Sequence, residues 1–268
     1  MLSPVLSLAS GVVPEATPLQ TVQAAAAAGF DAVGLWIEPA KWTAQTTREV
    51  RQAVSDSGLQ VLDAEVIWLK PGAANPEHLR AIDIAAELGA ANVLVVSSDP
   101  DAKATAEKFV QLCEHARSMP LRVALEFGAF TDVPTIDAAA AILRQAAQPN
   151  QALLVDALHL QRSGGSAADI RRLPVEWFSY AQLCDAPLSG PSASDRAAIR
   201  DEAVDHRMCP GDGKLPLAEL LSALPKGLPL SVEVRSRQLR EEYPDFAERA
   251  RAVERLSRHW LARQEQAA

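Results

Sequence analysis

Short runs of β-branched and other apolar residues alternate with longer stretches rich in Ala, Leu, Glu and Gln, and the alternation repeats about eight times along the chain. An apolar run without a polar face is what a strand covered on both sides requires, so the pattern predicts parallel strands packed under helices. Strands are expected at 5–9, 32–36, 60–67, 92–97, 122–126, 152–156, 177–183 and 230–234. Helices are expected at 18–28, 44–57, 75–88, 102–118, 134–147, 167–172, 217–224 and 245–264. Thr17 and Asp101 stand where N-caps belong, Pro18 suits the first helical position, and Gly29, Gly58 and Gly89 stand where helices end.

Eight βα units without a break in composition predict an α/β fold: a single (β/α)₈ TIM barrel over residues 1–268. The competing open, doubly wound sheet would place a glycine-rich phosphate loop after an early strand. The segment after the first strand, SGVVPEATP, has no GxGxxG, and the later Gly211-Asp212-Gly213 follows no strand. One segment breaks the rhythm. About 185–214 reads as a long loop after the seventh strand, on the face where such barrels carry their chemistry, and loops of that length are usually functional lids.

The chain has 268 residues and a formal net charge of −8. An acidic balance argues against nucleic acid, whose phosphates demand a positive face. No run approaches a membrane span, and the N-terminus lacks the basic region of a signal peptide, so a cytoplasmic protein without a membrane partner is expected. Three widely spaced cysteines, Cys113, Cys184 and Cys209, form no CxxC pair and fit a reducing compartment.

Polar residues near the strand ends are the candidates for chemistry. Glu65 lies in LDAEVIW, Glu126 in VALEFG, Asp156 in LLVDALH with His159 three residues on, Gln182 in YAQLCDAP with Asp185 three residues on, and Glu233 in LSVEVRS. A carboxylate flanked by Val and Leu is costly to bury unless paired or coordinating. Glu126, Asp156 and Glu233 converging on one mouth would repel one another, and a divalent cation would relieve this; oxygen ligands suit Mg²⁺ or Mn²⁺. Gln182 would add a neutral oxygen. The structural alternative is a set of ion pairs to Arg122, Arg207 or Arg235. Trp36, at the end of the second strand, can wall a pocket, and Arg207, in the long loop, can reach over the mouth to an oxyanion.

The order Glu126 (LEF), Asp156-x-x-His159 (VDALH), Gln182-x-x-Asp185 (QLCD) and Glu233 (VEV) resembles the sugar phosphate isomerase/epimerase superfamily, the xylose isomerase-like TIM barrels. AAGFDAVGLWIE and RMCPGDGKLPLAELLSALP are similar to two further stretches of that family. The resemblance implies a divalent metal held by Glu126, Asp156, Gln182 and Glu233, with Mn²⁺ or Mg²⁺ preferred over Co²⁺ or Zn²⁺ because Gln182 replaces a common histidine. It implies a small-molecule substrate contacted by His159, Arg207, Trp36, Glu65 and Asp185, and pairing of barrels into a homodimer. The activity it implies is isomerisation or epimerisation of a small keto sugar or polyol ketone through an enediolate, with Glu126 and Glu233 as the catalytic acid and base. The alternative is a dehydratase of the inosose or 3-dehydroshikimate type. Phosphodiester hydrolysis, also known in the superfamily, is disfavoured by the five histidines and the acidic charge. A binding protein that lost full ligation is the reading that Gln182 keeps open.

Overall fold

All eight apolar runs become parallel strands, and each pairs with the next until the eighth closes on the first. The computed structural model describes residues 4–267, so residues 1–3 and 268 of the expected domain lie outside the described residues. The strands are β1 (Leu6–Leu8), β2 (Ala32–Trp36), β3 (Gln60–Leu69), β4 (Asn92–Ser97), β5 (Arg122–Glu126), β6 (Gln151–Asp156), β7 (Ala181–Leu183) and β8 (Leu230–Val232). Around them run α1 (Pro18–Ala28), α2 (Ala44–Ser57), α3 (Pro76–Glu87), α4 (Ala102–His115), α5 (Ile136–Ala146), α6 (Ala157–Arg162), α7 (Ala167–Arg171), α8 (Arg196–Asp205), α9 (Leu217–Ala223), α10 (Arg237–Glu242) and α11 (Phe246–Ala267). This is a TIM barrel, as the alternation requires.

Strand residues alternate between two faces, and the buried clusters sort accordingly. Val93, Val95, Val123, Leu125, Leu153 and Val155 pack outward with helix residues such as Ile82, Phe109 and Leu143. Their neighbours Leu94, Val96, Ala124, Ala152 and Leu154 form a separate cluster inside the barrel with Ala32, Leu62 and Tyr180. The outer layer is the larger and holds the helices on. The lumen cluster is the smaller of the two and is centred on leucines, alanines and the fully buried Tyr180.

Helix ends follow the local sequence. Thr17 caps α1 and exchanges bonds with Gln20 in a capping box, with Pro18 at the first helical position. Such a cap is worth about 1 kcal/mol. Gly29 and Gly58 close α1 and α2 at φ of +86° and +69°, where a side chain would be strained. The seventh strand is shorter than expected: Val175–Trp177 turn as a 3₁₀ segment behind Pro174, and pairing begins only at Ala181. Three short helices follow strands or lie in the long loop. Asp156 caps one of them, α6, by accepting the His159 N–H. The 185–214 segment is therefore not structureless, since α8 occupies its centre. Among the described residues no helix is long and apolar enough to cross a membrane.

Candidate active site

The two-residue strand period carries four expected residues into the lumen. Glu126 is in phase with Ala124, Asp156 with Leu154, Gln182 with Tyr180 and Glu233 with Ser231, each at or just past a strand's C-terminal end. Register aligns Asp156 with Gln182 and Gln182 with Ser231, so neighbouring strands present these side chains side by side. Glu65 joins them from β3, with Oε1 accepting the Ser10 N–H at 3.1 Å. Gly34 of β2 makes room for it: a Cβ there would lie 2.8 Å from Asp63 Oδ1 and 3.2 Å from Glu65 Oε1.

Arg207 is the cation among these acids. Its Nη1 meets Asp156 Oδ2 at 2.6 Å, its Nη2 meets Glu233 Oε2 at 2.9 Å, and its Nε donates to the Ala203 carbonyl at 2.7 Å. The side chain is buried, and its two carboxylates more than offset the cost of desolvating it. Arg207 was expected to reach over the mouth to an oxyanion. It enters the mouth, and its guanidinium bridges two acids of the chain itself.

Burial and crowding split the carboxylates. Burial would raise Asp156, but Arg207, His159 and the His159 N–H outweigh it and hold the carboxyl below its usual range. Glu126 has no such partner; burial and the charges of Glu233, Asp156 and Glu65 push it well up. Glu233 lies between these cases. Burial raises it to about 7 against the pull of Arg207. Burial also lowers His159 to about 4, so its imidazole is neutral near pH 7. His159 Nε2 stands 4.0 Å from Glu126 Oε1 and 3.4 Å from Arg207 Nη2, with the ring edge-on to Phe130.

A cavity of about 150 Å³ opens onto this group, lined by Glu65, Glu126, His159, Arg207 and Glu233 and walled by Trp36, Trp68 and Phe130. It is smaller than the ~300–1,000 Å³ pockets that take drug-sized ligands. Trp36 is 41% exposed and lines both this cavity and a larger outer groove. The lid helix α8 contributes Arg200, Ala203 and Val204 to the wall.

Asp185, expected to touch substrate, does other work. Its carboxylate accepts the backbone N–H groups of Ala186, Gly211 and Leu215, and its own backbone pairs with Met208. A buried carboxylate so occupied staples the long loop to β7 and does not line the cavity. Spacing alone does not separate this acid from its neighbours, because a loop's path is not periodic.

Two residues near the site, Asp63 and Arg200, were not among the expected ones, and Arg235 was expected only as an ion-pair partner. Asp63 lies two positions before Glu65, fully buried, with neither oxygen hydrogen-bonded. Burial and the charges of Glu65 and Glu233 push it well above its usual range. Arg235, two positions past Glu233, lines the mouth. Period two along LDAEVIW and LSVEVRS would have found both. Arg200 offered no such signal, since α8 itself was not foreseen.

The donor chemistry can be set against a divalent ion. Glu126 carries no N–H donor, and both polar atoms of the Gln182 amide are buried without partners. Two carboxylates and this amide flank them on adjoining strands. Such an oxygen-rich set suits a hard cation. Among the described residues no three acidic, histidine or cysteine side chains are already drawn together as a metal cluster. The Arg207 guanidinium takes one oxygen of Asp156 and one of Glu233. The residues fit an ion, provided these two carboxylates each share an oxygen with it.

An eight-stranded barrel with an acid-lined C-terminal mouth defines the class, and the comparisons narrow it. Residues 22–263 match the family described as "Xylose isomerase-like TIM barrel". The chain belongs to that family. It is 32% identical over 241 residues to a 3-dehydroshikimate dehydratase of Pseudomonas aeruginosa, which covers 84% of this chain and 36% of that protein. The chain thus spans little more than a third of that relative's length. It shares its fold with a xylose isomerase-like TIM barrel/4-hydroxyphenylpyruvate dioxygenase fusion protein, at TM-score 0.81 and 24% identity over 99% of this chain and 44% of that one. It also shares it with the IolI protein, whose crystal structure has a zinc atom bound, at TM-score 0.80 and 16% identity over 97% of this chain and 98% of that one.

Proposed function

We propose that the protein is a divalent-metal-dependent dehydratase of a small cyclic β-hydroxy ketone of the 3-dehydroshikimate type. The observation that carries this reading is the 32% identity to a dehydratase over 241 residues. The family match, 22–263, takes in every acid at the mouth. The isomerase or epimerase reading shares the first step, removal of a proton α to a ketone, and diverges at the second.

Glu126, Asp156, Gln182 and Glu233 would hold the ion, which supplies Lewis-acid polarisation of the ketone and a counter-charge for the enolate. The remaining work belongs to the chain. Glu233, at the cavity wall beside Arg207, takes the proton α to the ketone. The C–O bond of the β-hydroxyl then breaks, and Glu126 delivers the proton with which that group leaves as water. Glu233 returns its proton to solvent and Glu126 regains one, so the balance is loss of one water. Neutral His159 holds a substrate hydroxyl, and Trp36, Trp68 and Phe130 shield the ring from bulk water. Arg207 keeps Asp156 ionised throughout.

The test is direct. Purified protein with Mn²⁺ or Mg²⁺ is mixed with 3-dehydroshikimate, and ultraviolet absorbance is followed as the ring aromatises to 3,4-dihydroxybenzoate. A rise that Glu233→Gln abolishes supports the reading. No absorbance change, together with α-deuteration of keto sugars in D₂O, would transfer the assignment to isomerisation.

A further inference from the structure

Two guanidiniums at the mouth have no acid of their own. Arg207 meets two carboxylates, whereas among the described residues neither Arg200 nor Arg235 has a carboxylate within 4.0 Å. Both line the cavity that holds Glu126, His159 and Glu233. Arg235 and Trp36 also line the outer groove, so Arg235 stands where the cavity meets that groove. Its Nε is buried and makes no hydrogen bond. The chain makes space for this arginine. Gly11 has no side chain, and a Cβ there would come within 2.8 Å of Arg235 Cγ and 3.3 Å of Glu233 Oε1. The acids that face Arg235 are Glu65 and Glu233. Glu65 is already turned to the Ser10 N–H and Glu233 to Arg207, so neither fills the guanidinium fork.

A buried guanidinium N–H without an acceptor is costly, and Arg is suited to planar, two-pronged capture of a carboxylate. Arg200 is exposed and stays hydrated, but a neutral sugar would leave the buried Arg235 Nε without a charged acceptor. The geometry points to an anion subsite: Arg235, with Arg200 closing from the lid helix, receives a carboxylate on the substrate, at the end remote from the carbon that loses its proton. In a 3-dehydroshikimate-type ring those two carbons lie across the ring from each other, so one molecule can reach the acids and the arginines at once. This subsite rests on the dehydratase reading for the ring, while its own content is that the substrate is an anion and that these two residues select it.

The experiment compares two probes that differ in one charge, 3,4-dihydroxybenzoate and 3,4-dihydroxybenzamide, titrated into the Mn²⁺-loaded full chain by calorimetry. The native protein is expected to bind the benzoate at least tenfold more tightly. Arg235→Met is expected to weaken benzoate binding by about 10- to 100-fold, the range for a charge-assisted bond, and to leave the benzamide unchanged. Arg200→Met acts in the same direction. Should Arg235→Met not fold, Arg235→Lys, which keeps the charge but loses the fork, is expected to lower the benzoate preference while the benzamide still binds. Equal binding of the two probes by the native protein, or variants that leave the benzoate-to-benzamide ratio unchanged, would overturn the subsite. The aromatisation assay fails or succeeds separately. Charge selection without dehydration would sink the dehydratase reading and keep the subsite, and dehydration without charge selection would do the reverse.

Discussion

Burying Asp156 and Glu233 costs several kcal/mol per ion unless each finds a counter-charge, and Arg207 supplies one to both. Removing it leaves two carboxylates uncompensated. Arg207→Met is expected to lose about 3–5 kcal/mol in urea unfolding of metal-free protein. Mn²⁺ should restore part of that loss, because an ion seated on the same carboxylates takes over the neutralisation. If Mn²⁺ stabilises the native protein but not this variant, the ion is held elsewhere. The sequence placed the acids well at this scale. Glu126, Asp156 and Glu233 interrupt apolar strands at positions the two-residue period sends inward. It named Arg207 for the mouth but did not decide between an oxyanion and the acids as its partner, because that depends on how the loop is tied down. Asp185 failed for the same reason: its spacing from Gln182 suggests the mouth, while the turn after β7 carries it to the loop's backbone amides.

At the scale of elements, the lid is a tethered helix. Arg162 of α6 grips Glu202 of α8 through Nε and Nη2, both at 2.7 Å, and its guanidinium also holds the Pro187 and Leu188 carbonyls. Arg196 ties the start of α8 to Asp132 and the Phe130 carbonyl. Arg162→Met leaves Glu202 buried and unpaired, and a loss of about 3–5 kcal/mol follows from breaking such a pair. Hydrogen exchange should show faster opening of α8 than of β5 or β6; equal protection would mean that other contacts hold the lid. The far end of α8 depends on pH. Asp205 meets Arg237 at 2.8 Å and Arg240 at 2.6 Å, and these bonds lower it to about 2. Its folded pKa lies below the unfolded value of roughly 3.9. The contribution is therefore present above about pH 4 and is lost as pH falls toward 2. Asp205→Asn should remove that part of the acid-unfolding curve and leave stability between pH 6 and 8 without further pH dependence from this site. An unchanged acid limb would show that the pair contributes nothing.

At the scale of the molecule, the barrel holds its acids in a fixed ring, and a bound ion should be worth stability as well as chemistry. An ion that binds only the folded state adds about 2.7 kcal/mol at 100 times its Kd. For a chain of this size that corresponds to a rise in Tm of about 5–10 °C on adding Mn²⁺ after chelation. Glu126→Gln combined with Glu233→Gln should abolish the rise, and a shift that survives both changes would place the ion outside the mouth.

The chain's periodicity by itself determined the eight strands, their order and the inward direction of Glu126, Asp156, Gln182 and Glu233, because strand period and burial are local properties that a one-dimensional pattern records. The tether of the long loop and the pairing of Arg207 with two distant acids were decided only in three dimensions. Arg207 meets Asp156 51 positions away and Glu233 26 positions away, and no local preference sets where such partners meet. That is why the positions of Glu126, Asp156 and Glu233 were legible from the start and the pairing of the arginines was not.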